Sequence, residues 1–365
     1  TPPWGTTEGT GAWGADHSPP TAVAATGDSV VLGWGGAEGG SGLIGVGADG
    51  RKTWGLHPGA MVIAGDNRFA YFMLDDPWAG KHGLARVDKN DGSYRPLLVG
   101  GKPQLPVPLE TIFSGQAPGE VRGMAVHGNR LVLAMSKGKL ALLDAETARL
   151  LKKWDARNPG SLAFSHDGKL YALLDGQLHV VDPANGRATR IATPGMGAAR
   201  AITVDLDGNI AVADMGPDSQ VKVYTPTGKP AYTAGKKGGR PLRGKFDPQA
   251  MSHVRAIAVD ARGHIWAVES WEHPRRISVW GKDGNLVRDY IGNTAYSACG
   301  TFLHDQDPSL AYAGPVEMKL DRTTRSWYVT QTLWVPDYGK GEGFDVTGGL
   351  PQPHRFTSDA SGKPR

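Results

Sequence analysis

Hydrophobic positions along this chain fall in short runs rich in Val, Ile, Leu and Ala, each cut off by a turn containing Gly, Asp or Asn. The runs keep a fixed order: an apolar strand, a tight turn, a second apolar strand, a gap, then a third strand closing on another turn. Seven units follow it, beginning "PTAVAATGDSVVLGW", "AMVIAGDNRFAYFML", "RGMAVHGNRLVLAM", "SLAFSHDGKLYALL", "RAITVDLDGNIAVAD", "RAIAVDARGHIWAVE" and "PVEMKLDRTTRSWYVT". Third strands such as "KLALLDAETAR" and "RISVWGKDGN" come next, each trailed by a weaker fourth run. Helical periodicity is absent almost throughout.

Four short antiparallel strands per unit, repeated with Gly-rich turns, predict an all-β chain folded as a seven-bladed β-propeller, in which neighbouring blades cover each other's faces. One domain spans 1–365, with blades near 17–56, 57–99, 119–155, 158–193, 197–234, 252–291 and 312–365, the last closed by 1–14. The seventh unit runs into a Gly- and Pro-rich tail, so six blades plus an appended segment is the alternative. Units five and six, within 199–291, carry "AITVDLDGNIAVAD…QVKVYTPTGK" and "AIAVDARGHIWAVES…RISVWGKDGN". Their strand, Asp-x-x-Gly-Asn-like turn and acid-ended second strand resemble the NHL-repeat propellers. That resemblance implies the fold and leaves the activity open, because the family includes both binding modules and enzymes.

Composition narrows the function classes. Forty basic residues stand against 36 acidic ones, a net charge of +4, too balanced for a general nucleic-acid binder. "GKKGGRPLRGK" is the basic cluster, and its glycines make it a solvated loop. A single cysteine, Cys299, excludes an internal disulfide and any CxxC site. No apolar run approaches the ~20 residues of a membrane span. Starting at Thr1 without a methionine, the chain reads as a mature or excised segment, and its Gly, Pro and Trp content suits an exported bacterial protein, secreted or periplasmic. No GxSxG, P-loop or GxGxxG motif is present.

Strands alternate direction within a blade, so the first-to-second and third-to-fourth turns share one face and the remaining loops share the other. The first set is uniformly tight, while the second carries every insertion, among them "GWGGAEGGSG", "DDPWAGKHG" and "SWEHPRR". Long loops on a rigid scaffold are where function is placed, which selects that face. Trp34, Trp78 and Trp271 are expected there as exposed ligand-stacking residues, or else as caps on blade edges, with His82 and His273 beside them.

The innermost strands begin at the same face, and Arg122, Arg200 and Arg255 head three of them, an arrangement expected to give a basic funnel. Hairpin register offers a purely structural alternative: counted outward from the turns, Arg200 falls opposite Asp214 and Arg255 opposite Glu269, each a cross-strand ion pair. Arg122 has no such partner and is the arginine expected to be free to bind. His17, His253 and His304 come from adjacent sectors of the expected ring, with Glu269, Asp305 and Asp307 nearby. Together they form a candidate zinc site, with calcium at "DQD" a weaker candidate, although no compact metal-binding spacing is present. His57, His127, His166 and His179 read as structural.

The sequence therefore predicts a propeller that binds an anionic or polyhydroxylated ligand, foremost an acidic polysaccharide, on its long-loop face. As a polysaccharide lyase it would use Arg255 or Arg200 to neutralise a uronate, with His253 or His304 as base. A hydrolase would need two carboxylates, for which Glu269 and Asp305 are the evident pair. The alternative is a non-catalytic module of a larger protein that docks a protein partner.

Overall fold

In the computed structural model, residues 21–332 are described apart from 35–41, 57–59, 77–80, 117–118, 241–243, 246, 270–275, 292–300, 304–305, 314–315 and 324–325. Six antiparallel sheets are arranged as a propeller. The first contains Ala22–Thr26, Ser29–Trp34, Gly42–Val46 and Lys52–Leu56 in that order. Ala60–Gly65, Phe69–Asp76 and Lys81–Asp88 form the second, where single bridges from Tyr94 and Val107 stand in for a regular fourth strand. The third to sixth sheets are four-stranded and begin with Val121–His127, Pro159–Phe164, Ala199–Val204 and Val254–Val259.

The six innermost strands contact one another in sequence, and Ala22–Thr26 meets Val254–Val259 to close the ring. That closure is a packed seam: Val23, Val30 and Leu32 of the first blade share a buried cluster with Ala258, Trp266 and Val268 of the sixth. Among the described residues no seventh blade stands between them. The seventh unit does form a hairpin, Val316–Asp321 with Ser326–Thr332, but it belongs to a separate five-stranded sheet with Thr301–Leu303, Leu310–Ala313 and Gly244–Lys245. Among the described residues the count is therefore six blades with an appended sheet, not seven; the proposed closing segment 1–14 lies outside them.

The tight turns follow from their sequence. Asp205 Oδ1 accepts the backbone N–H groups of Asp207 and Asn209, at 2.9 and 2.8 Å, and its Oδ2 accepts Asn209 Nδ2 at 3.1 Å. Gly208 supplies the left-handed residue such a turn requires, with φ 82°. Asp260 repeats the arrangement for Arg262 and His264, and also accepts Trp266 Nε1 at 2.9 Å. No helix among the described residues is long and apolar enough to cross a membrane.

An arginine collar at the mouth of the central cavity

A cavity of about 1170 Å³ runs down the propeller axis, lined by the innermost strands of all six blades. Arg122, Arg200 and Arg255 all line it, as the funnel expectation requires. The backbone explains how they reach it. Val121 pairs with Met135 and Gly123 with Ala134, leaving Arg122 as the extra residue of a β-bulge. Likewise Ala199 pairs with Asp214 and Ala201 with Ala213, while Val254 pairs with Glu269 and Ala256 with Val268. Arg200 and Arg255 are the odd residues of those two bulges.

This one-residue slip overturns the cross-strand pairs. Ala199, not Arg200, lies opposite Asp214, and Val254, not Arg255, lies opposite Glu269. Neither Arg200 nor Arg255 has a hydrogen-bond or ion-pair partner among the described residues, and both are exposed. Arg122, expected to be the free one, instead donates from Nη1 to Asn158 Oδ1 at 2.9 Å. The bulge recurs in blades two and four, where it brings Met61 and Ser161 to the cavity wall. Met61 is 54% exposed, unusual for so large an apolar residue.

The two carboxylates have other work. Asp214 is fully buried; it pairs with Lys222 at 2.7 Å and accepts the N–H groups of Gly197, Ala198 and Gly216. Burial pushes its pKa up, but Lys222 and these backbone donors outweigh that and leave it below the usual carboxylate value. Glu269, also 0% exposed, sits between two buried guanidiniums, Arg276 Nη1 at 3.3 Å and Arg240 Nη2 at 3.1 Å. It accepts the Ser252 N–H and the Ser278 hydroxyl as well, both at 2.9 Å. Arg276 continues to the carbonyls of Ala250 and Pro248 and to Asp289, tying the connector between blades five and six to the sixth sheet. A carboxylate held in this way is structural, and neither acid lines the cavity.

His253 precedes the sixth inner strand by one residue, with φ 49°, and its Nδ1 lies 2.8 Å from Ser252 Oγ. Burial lowers its pKa, Arg240 and Arg200 lower it further, and Glu269 partly opposes them. Trp34 was expected on an exposed loop; it closes its strand at 1% exposure, its ring filling the space that Gly42 leaves open. Trp78, Trp271, His273, His17, His304 and Asp305 lie outside the described residues, and with them most of the candidate zinc site. Among the described residues no group of His, Cys, Asp and Glu is arranged to hold a metal ion.

His82, expected on this face, lines the cavity, and two further lining residues escape the sequence reading: Glu110 and Glu120. Glu110 sits on the single helical turn Leu109–Ile112. Glu120 immediately precedes the third inner strand, and its place two residues before Arg122 was the available signal.

No protein-family model matches the chain, and no curated protein matches it. Among solved structures, it is similar to a structural-genomics protein of unknown function from Bacteroides thetaiotaomicron, with a TM-score of 0.51 and 15% identity, over 76% of this chain and 70% of that one. At that identity the likeness concerns the fold alone. Fold and site together define a β-propeller with an arginine-collared central cavity.

Proposed function

We propose that the protein binds an anionic ligand at the mouth of its central cavity, and that an acidic polysaccharide of an extracellular setting is the ligand class. The observation that carries this reading is the pair Arg200 and Arg255, two exposed guanidiniums lining one cavity with no partner among the described residues. Guanidinium forks match carboxylate and sulfate geometry, and positive charge gathered on one side of a concave mouth raises the local anion concentration there. The Asp-centred turns at Asp205 and Asp260 support assigning these blades to the NHL type.

The test is calorimetric titration of oligouronates into the parent protein and an R200Q/R255Q variant. Binding by the parent that weakens by tenfold or more in the variant supports the reading. Equal binding by both removes it, and binding by neither leaves the protein-docking module as the better account.

A second reading makes the same site a lyase, with His253, which precedes cavity-lining Arg255 by two residues without itself lining the cavity, as the base. In that step His253 would take the proton α to the uronate carboxylate, an arginine would stabilise the developing charge, and the freed electron pair would form the double bond as the glycosidic C–O bond breaks, the departing oxygen taking a proton from water. Ultraviolet absorbance of an unsaturated product tests it directly.

A further inference from the structure

The cavity mouth is not uniformly basic. Glu110 and Glu120 line the same cavity as the arginines, both are exposed, and the side chain of neither has a hydrogen-bond or ion-pair partner among the described residues. Their position in the ring matters. Glu110 lies in the connector between blades two and three, and Glu120 at the entry to blade three. Arg200 and Arg255 come from blades five and six, which in a six-membered ring stand opposite blades two and three. Arg122, on the acidic side, is engaged with Asn158. That neutral acceptor leaves Arg122 charged, so one arc carries two guanidiniums and the facing arc two carboxylates against one guanidinium: the wall is polarised by an excess of charge on each side.

A ligand carrying negative charge alone would gain at the first arc and be repelled at the second, and like charges brought together across an interface are a means of rejecting wrong partners. A ligand with a cationic group beside its anion satisfies both arcs at once. We propose that the natural ligand is zwitterionic: a saccharide carrying an acidic group and a free amine, the acid seated on Arg200 and Arg255 and the ammonium on Glu110 and Glu120. This rests on the anion-binding reading given above and narrows its ligand class.

The experiment compares two oligosaccharides of one length, built of alternating uronate and amino sugar. One is fully N-acetylated and the other N-deacetylated, titrated at about pH 6, where carboxylates and amines are both charged. The free-amine form is expected to bind about tenfold tighter or better, the fold-change corresponding to a charge-assisted hydrogen bond of ~1.5 kcal/mol. An E110Q/E120Q variant, isosteric at two exposed positions, should lose that preference, the ratio of its two affinities falling to about one. Equal affinities, or a preference for the N-acetylated form, overturn the zwitterion assignment and leave anion binding standing. Preference retained in E110Q/E120Q overturns the role of the two glutamates. Binding of neither oligosaccharide by the parent takes down both readings.

Discussion

Replacing Glu269 and replacing Arg255 should have very unequal consequences, although a regular hairpin would make the two residues partners. Glu269 is 0% exposed, and its guanidinium neighbours Arg276 and Arg240 have side-chain exposures of 0% and 3%. E269Q keeps the volume but leaves two buried cations without their shared anion, a change of the kind that costs about 3–5 kcal/mol. Against a total stability of about 5–15 kcal/mol that is a large loss. With a urea slope of roughly 3 kcal/mol per molar, the unfolding midpoint should fall by roughly 1–2 M. Arg255 is exposed and bonded to nothing among the described residues, so R255Q should stay within about 0.5 kcal/mol of the parent. Urea unfolding followed by tryptophan fluorescence decides it. Comparable losses in the two variants, or a coupling above about 0.5 kcal/mol in the double variant, would refute the bulge geometry.

Other consequences are accessible to simple assays. A Cβ at Gly42 would come within 2.2 Å of the Trp34 ring, so G42A should overpack that seam by about 1–3 kcal/mol, read as a lowered melting temperature. Protonation of His253 adds positive charge near Arg200, and its pKa lies below the ordinary ~6.5. Anion affinity should therefore rise as pH falls through that lowered value, and H253N should flatten the profile in isothermal titrations. Asp214 has a depressed pKa, so its contribution to stability is present above the ordinary ~3.9 and is lost as pH falls from there through the folded value. D214N should be destabilised at neutral pH and show a shallower loss on acidification, measured by urea unfolding at a series of pH values.

The blades were legible in the sequence because their information is local. Asp205 and Asp260 cap their own turns, and the alternating runs on either side need no distant residue to set them. Register was not legible: the extra residue at Arg122, Arg200 and Arg255 leaves "Arg-x-Ile" or "Arg-Gly-Met" reading like any strand start, and only the partner strand reveals the slip. "PVEMKLDRTTRSWYVT" was recognised correctly as a hairpin, yet which sheet it joins depends on Gly244–Lys245, distant in sequence. Arg276 directly opposite Glu269 could have been counted from the hairpin; Arg240, arriving from the connector, could not. Trp34 was misplaced for the same reason, since its burial depends on a bare Gly42 on the adjoining strand.

The account rests on Arg200 and Arg255 being the anion-binding groups, and a crystal structure with a saturating short oligouronate tests this most directly. It predicts a ligand carboxylate at the cavity mouth within hydrogen-bond reach of both guanidiniums, with Glu269 still buried between Arg240 and Arg276. Ligand bound on the tight-turn face, or at the mouth with both arginines turned away from it, would contradict the account.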